Sequence, residues 1–450
     1  MAQNNSGSAS ATSIEINDVA PIPAGERHGK AWHLFAVWSS PNLEFATVFV
    51  GALAIIFGLN VWQGILAVIV GNGLAAITHG YLSTWGPKAG LPQMVLSRTA
   101  FGKLGNLLPA GLSTLVAGIG WFAVNTVSGS LALTSLVGWS INISLIIVIV
   151  AQILIAFIGH NLIQVWERWT AYGLVVVWLI VTFLVLPQGH YNVDFGSFNL
   201  VGFTLAAGAA YGYTAGWTPF ASDYTRYLPE NTNSRQLGWA AGLGNFFSTT
   251  VLMIVGVVAW TLVGKGSPTD VFTGLLPKPV ALLTLLAIAI GSISANVLNV
   301  YSGAMSFLSM GFNLGFKTRR AIMVALAGVI GGITAFLATQ NVGGLGDNLE
   351  NFLLVVSYWV APWIAIVVLD RVLNKGRDAQ AVALSKAENV AGPIAFVVSV
   401  VFSIWGFANQ LAYTGYFAKQ YAIGDLTALV GFVVAGLLFV VLRSVFKPSK

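Results

Sequence analysis

Twelve stretches of this chain, near 33–57, 62–83, 106–133, 141–159, 169–187, 199–220, 237–264, 279–302, 321–340, 351–369, 391–410 and 426–442, are apolar for long enough to cross a bilayer. A spanning helix needs about 20 mostly apolar residues. Lipid offers the backbone no hydrogen-bond partners, so segments of this length satisfy their own N–H and C=O groups as helices. Composition agrees, with 56% hydrophobic and 8% charged residues, against roughly 25% charged in a soluble domain. The sequence therefore predicts an all-α polytopic membrane protein with twelve transmembrane helices.

The first 28 residues are polar and lack the basic start, apolar centre and small-residue cleavage site of a secretory signal. They read as part of a disordered cytoplasmic tail over 1–30. With the N-terminus inside, eighteen of the 21 Lys and Arg fall in inner segments, leaving Lys265, Lys278 and Lys419 outside. Basic residues near helix ends stay on the cytoplasmic side, so the count predicts both termini in the cytoplasm of a cell bounded by this plasma (inner) membrane. A basic inner face accounts for the net charge of +6 without any nucleic-acid partner. The absence of Cys excludes disulfides, thiol catalysis and iron–sulfur sites.

Of the fifteen acids, only Glu44 falls at membrane depth, in "VWSSPNLEFATVF" beside Pro41 and Asn42. A carboxylate there costs several kcal/mol unless it faces a cavity, a partner or a cation; a protonated glutamate bonded to a neighbouring helix is the plain alternative. Pro41 removes an N–H and clashes with the preceding turn, so the first span should kink or break near 39–44. In the sixth span, Gly208, Gly212, Gly216 and Pro219 weaken the helix, and Tyr213 and Trp217 share one face. Small residues for close helix packing explain the glycines but not the proline. Interrupted spans in corresponding positions, first and sixth, point to a transporter of two five-helix repeats of inverted topology, with its site at the breaks.

Trp121 and Asn125 stand four apart in the third span; Asn296 and Asn299 stand three apart in the eighth, near Ser292, Ser294 and Ser302. Interhelical hydrogen bonding is the ordinary explanation of such amides. The case for one shared cavity is that the acid, amides and aromatics concentrate on spans 1, 3, 6 and 8. Aromatic faces with adjacent donor and acceptor amides suit a planar nitrogen heterocycle better than a sugar or a fatty chain. Asp223 and Arg226 read as a brace at the cytoplasmic end of span 6, and His79 and His160 as satisfied or solvated histidines near span ends.

At "GLPQMVLSRTAFGKLG" (90–105), "GWFAVNT" (120–126), "GWTPFASDYTRYLP" (216–229) and "NVLNVYSG" (296–303), the chain resembles the nucleobase:cation symporter-1 family, purine-cytosine permease branch, from about 31 to 375. The resemblance implies a leucine-transporter-like fold. Ten core helices would occupy 31–370, in repeats of about 31–190 and 195–370. A cytoplasmic loop (371–390), peripheral helices 11 and 12 (391–443) and a C-terminal tail (444–450) would follow. It implies import of a base or related heterocycle with sodium or protons and no cofactor. Trp121 would stack on the substrate with Asn125 beside it, and Trp217 or Tyr213 would stack from span 6. Asn296 and Asn299 would read the ring edge, while Asn42 and Glu44 would face it from span 1. A sodium ion would take the carbonyls of Ser40, Leu43 and Gly291 and the hydroxyl of Ser294. The neighbours Ile293 and Ala295 supply no second hydroxyl, which favours a proton carried by Glu44, since a hard cation wants several oxygens.

The chief rival is an amino-acid or amine symporter of the same architecture, for which half-helix N-termini should be free to hold a carboxylate. Glu44 beside the break would repel one. An intramembrane enzyme would need a nucleophile with its base, or a metal set, at membrane depth, and the sequence offers neither.

Overall fold

Each of the twelve apolar stretches is helical over most of its length in the computed structural model, which describes residues 19–158, 160–191, 197–263, 266–312, 316–341 and 344–446. Among these, eight helices are long and apolar enough to cross a membrane, nine when the bent first pair counts as one span, and two shorter apolar helices join them. The fold is all-helical: among the described residues the only β-pairing is two isolated bridges.

The first span consists of α1 (His33–Ser39) and α2 (Phe45–Ile56), which meet at 64°. Pro41 cannot donate to the helix ladder, so the chain tightens into a 3-10 turn over Ser40–Asn42, and Glu44 is fully extended. The second span is α3 (Val61–Ser83). The third runs from α4 (Leu107–Leu115) through a π turn at Val116–Trp121 into α5 (Phe122–Val137). Two more helices, α6 (Ile141–Ile158) and α7 (His160–Val185), complete the first five.

The sixth span, α8 (Leu200–Ala215), passes through a 3-10 turn at Thr218–Phe220 into the short α9 (Ala221–Thr225). At its interruption Trp217 keeps helical angles and the chain tightens into the 3-10 turn at Pro219, whereas the first span passes through the extended Glu44. Then come α10 (Ser234–Trp260) and α11 (Lys278–Ser309). The ninth span is α12 (Phe316–Ala325), a second π turn at Leu326–Gly331 and α13 (Gly332–Thr339). The tenth is α14 (Leu345–Leu373), and α15 (Ala391–Phe407) and α16 (Thr427–Val445) pack on it from outside.

The packing obeys the inverted repeat: α3 lies on α8 and α10, both halves of the first span lie on α10, and α5 lies on α11. Exchanging the first five spans with the second five reproduces these pairs. Glycines set the closest approaches on α10. A Cβ at Gly244 would sit 2.5 Å from the Phe35 carbonyl oxygen, and one at Gly256 1.8 Å from that of Val48.

The N-terminal segment differs from the expected disorder over 1–30. Residues 1–18, like 447–450, lie outside the described residues, but the chain from Val19 onward is docked. Ile22 N–H donates to Gly90 O at 3.1 Å, and His28 N–H to Tyr227 O at 2.6 Å. The Arg27 guanidinium donates to Ile22 O and, at 2.7 Å, to Pro87 O. Polar composition predicted a free tail; backbone acceptors in the loop after α3 and just beyond α9 hold it instead. The 371–390 loop contains a short helix, Ala379–Leu384, and also returns to this face, with Gln380 Nε2 donating to Ala89 O at 3.0 Å.

Candidate functional site

The break in the first span brings its side chains against spans 3, 6 and 8. Glu44 is 1% exposed, and its Oε1 accepts from the Tyr213 hydroxyl at 2.8 Å. That hydroxyl lies 2.6 Å from Thr47 Oγ1, which donates to Asn42 O at 2.7 Å. Trp121, placed by the end of the π turn, meets Tyr213 edge-on at 5.1 Å between ring centroids. The Trp121 and Tyr213 rings and the Glu44 carboxyl therefore form one wall.

Asn125 completes the link to span 8, and its amide can be placed in two ways. With Glu44 ionised, Nδ2 donates to Glu44 Oε2 at 3.0 Å and Oε1 at 3.1 Å, while Oδ1 accepts from Asn299 Nδ2 at 3.3 Å. With Glu44 protonated, the carboxylic O–H can donate to Oδ1, and Nδ2 donates to Asn296 Oδ1 at 3.0 Å. Asn296 is fixed from the other side, its Nδ2 donating to Phe122 O at 2.9 Å. Asn299 Oδ1 is buried and has no hydrogen-bond partner among the described residues. A buried acceptor left unmade costs roughly 1–3 kcal/mol, so it marks a place for a donor.

Other expected site residues are committed elsewhere. Asn42 accepts from Trp217 Nε1 at 2.9 Å and donates to Trp38 O at 2.8 Å and Ser248 Oγ at 3.1 Å. It ties the break to spans 6 and 7, and Trp217 turns with it toward Trp38. Of the two span-6 aromatics, Tyr213 is the one beside Trp121 and Glu44.

Of the residues expected to hold a cation, Leu43 and Gly291 are in contact: a Cβ at Gly291 would lie 2.7 Å from Leu43 O and 3.4 Å from Glu44 Cβ. Three of the four oxygens expected for the ion already accept hydrogen bonds. Ser40 O takes the Leu43 N–H at 3.1 Å inside the 3-10 turn, so the break does not release that carbonyl as expected. Leu43 O accepts from Trp178 Nε1 at 2.8 Å, and Ser294 Oγ from Trp166 Nε1 at 3.0 Å.

On the side of the break away from the N-terminal segment, a cavity of about 480 Å³ opens between α2, α5, α13 and α14. It reaches Gly120 and Phe352, and the Phe352 ring meets Trp121 edge-on at 5.0 Å. On the opposite side the packing is closed. Asp223 Oδ1 accepts from Gln93 N–H at 3.0 Å, Ser222 Oγ donates to Gln93 Oε1 at 2.9 Å, and Thr225 Oγ1 donates to Ser83 O at 2.8 Å. Arg226 is buried against Tyr227, with its guanidinium 5.0 Å from the ring centroid. His79 is neither satisfied nor solvated: it is fully buried, edge-on to Trp38 at 4.3 Å, and neither ring nitrogen has a hydrogen-bond partner among the described residues. The His160 side chain lies outside the described residues.

Sequence reasoning missed Thr47, Phe352 and the span-5 tryptophans. Thr47 and Phe352 carry no local signal beyond their span. The one available for Trp178 is general, since a buried indole N–H needs an acceptor.

Comparison with known proteins follows this geometry. A family profile described as permease for cytosine/purines, uracil, thiamine, allantoin matches residues 21–431. A purine-cytosine permease of Emericella nidulans is 27% identical, covering 96% of this chain and 88% of the relative. One of Saccharomyces cerevisiae is 26% identical over 93% of this chain and 81% of the relative. Among solved structures, a nucleobase-cation-symport-1 family transporter in a closed conformation with bromovinylhydantoin bound superposes with a TM-score of 0.73. It is 19% identical, with 97% of each chain covered, and it shares the fold.

Proposed function

The chain belongs to the family of permeases for cytosine/purines, uracil, thiamine and allantoin, and from that membership we propose that it imports a nucleobase or related planar nitrogen heterocycle by cation symport. It is a multi-pass membrane transporter and not an enzyme. The observation that carries the substrate reading is the unpartnered Asn299 Oδ1, set beside the Asn125 and Asn296 amides and next to the Trp121 and Tyr213 rings. A ring N–H would satisfy that oxygen while the ring itself stacks, which an aliphatic amino acid could not do. In this reading Trp121 and Tyr213 hold the ring faces and Asn125, Asn296 and Asn299 read its edge. Asn42 and Trp217 shape the pocket from behind.

Glu44 is the proton carrier of this proposal. When it is ionised, Asn125 turns its Nδ2 to the carboxylate and its oxygen takes up Asn299 Nδ2. When it is protonated, Asn125 turns over and Asn299 Nδ2 keeps only a 3.4 Å contact with Asn296 Oδ1, so both ends of the Asn299 amide become available to the ring edge. Proton and substrate therefore favour each other, and by linkage the help is mutual. The cavity reaching Phe352 is the outer entry and the Gln93–Ser222–Asp223 contacts are the closed inner gate of an alternating-access cycle. Both termini then lie in the cytoplasm, beneath the plasma membrane.

The test is uptake into membrane vesicles of labelled purines, pyrimidines, hydantoins and allantoin, with sodium and pH gradients imposed separately. Accumulation of at least one heterocycle, driven by an inward proton gradient, is expected. Transport of an amino acid with none of the heterocycles would overturn the substrate reading.

A further inference from the structure

Leu43 O lies against Gly291, and Ser294 stands about one turn further along α11; an oxygen-lined cation pocket would form at this junction, and the structure supplies its oxygens with nitrogen donors. Trp178, 2% exposed on α7, points its indole N–H at Leu43 O. Twelve residues earlier on the same helix, a little over three turns away, Trp166 points its N–H at Ser294 Oγ, and Thr170 Oγ1 lies 3.2 Å from the same hydroxyl. Each N–H carries its partial positive charge to the oxygen that a cation would use. Ser40 O, the third oxygen of the set, is closed by the 3-10 turn.

We infer that Trp166 and Trp178 stand in for a bound ion, so that this pocket is a permanent latch between span 5 and the span 1–span 8 junction and excludes sodium. The physical grounds are twofold. A hard cation gains its binding energy by replacing water with several unhindered oxygens, and here an approaching ion meets the positive edges of two indoles. An indole N–H on a buried carbonyl also supplies the satisfaction that the broken helix withholds, at every stage of ion loading. Ala295, where a second hydroxyl would have to stand, adds nothing to hold an ion. The inference refines the cation-symport reading above, since it decides which cation the span-1 break can hold, but it concerns binding alone and does not need the substrate to be identified.

The experiment is direct binding of ²²Na⁺ to the purified, detergent-solubilised protein by scintillation proximity, with no substrate present. No saturable binding is expected for the natural sequence. The triple variant Trp166→Phe, Trp178→Phe, Ala295→Thr, which removes both N–H groups and restores a hydroxyl, is expected to gain saturable sodium binding. Saturable binding to the natural protein that is lost in Ser294→Ala would overturn the inference. So would a triple variant that stays monodisperse yet binds no sodium, because the indoles would then not be what excludes the ion. Neither reading depends on which solute is carried: failure of every heterocycle in the uptake panel would remove the substrate proposal and leave this result standing.

Discussion

Two polar clusters sit one residue apart at the same helix break, and they are finished to opposite degrees. Around Leu43 and Ser294 the acceptors are closed by indole N–H groups. Around Glu44 the amides of Asn125, Asn296 and Asn299 leave an acceptor open and allow two placements of one amide. A saturated cluster has nothing to gain from a ligand and serves as structure. An unsaturated one admits two placements of the same amide, and a proton or a ring edge can choose between them. The difference locates binding on the side-chain face of the break and mechanical closure on its carbonyl face.

The largest effect that would test this division lies on the closed side. Trp178→Ala should cost about 3–5 kcal/mol by cavity formation, plus a further ~1–3 kcal/mol for the orphaned Leu43 carbonyl, read as a lowered unfolding temperature in detergent. Trp178→Phe, which keeps most of the packing, should show mainly the second contribution, and a Phe variant as stable as the natural protein would mean that the hydrogen bond contributes little. On the open side, Glu44→Gln fixes the amide in one state. It should reduce proton-driven accumulation by more than about tenfold, equivalent to ~1.4 kcal/mol of lost coupling, while substrate exchange across vesicles persists. Accumulation that survives unchanged in this variant would remove the carboxyl from the coupling step. Asn299→Ala should raise the KM for a heterocycle about fivefold, the worth of one neutral hydrogen bond near 1 kcal/mol, with stability unchanged or improved because a buried orphan is deleted. An unaltered KM would place the ring edge elsewhere. The smallest effect belongs to Ser294→Ala, expected to cost about 1 kcal/mol of stability or less and to leave the response of uptake to sodium and pH as it was.

What could be read from the sequence followed from backbone chemistry. Pro41 has no N–H, so a break near 39–44 was a necessity of bonding, and it is found there as a bend of 64°. Trp121 and Asn125, four apart, do meet residues of other spans, Trp121 the Tyr213 ring and Asn125 the Asn296 amide. What was hidden depends on partners far apart in the chain. Asn42 looked like a ligand because it is polar at membrane depth, yet Trp38, Trp217 and Ser248 absorb it. Trp166 and Trp178 look like ordinary aromatics in a lipid-facing helix until the fold shows which oxygens they reach. The sixth span carries three glycines and a proline, yet its helix runs through Gly208 and Gly212 and gives way only to a 3-10 turn at Thr218–Phe220, since glycine permits a departure from helix without forcing one. The docked stretch around Ile22 and Arg27 was unreadable for a related reason: its acceptors are backbone carbonyls of another loop.

One contact pattern in the fold bears on how the molecule can move. The unbroken α10 runs past the bend in the first span and touches both sides of it, Phe35 O resting on Gly244 and Val48 O on Gly256 with no room for a methyl group at either point. It acts as a splint set across a fracture. The bend is therefore held at one angle, and the two fragments with their splint swing as a single rigid arm. Spin labels placed on α1 and α2 should then report one unchanging separation through the transport cycle, while either label moves relative to α11.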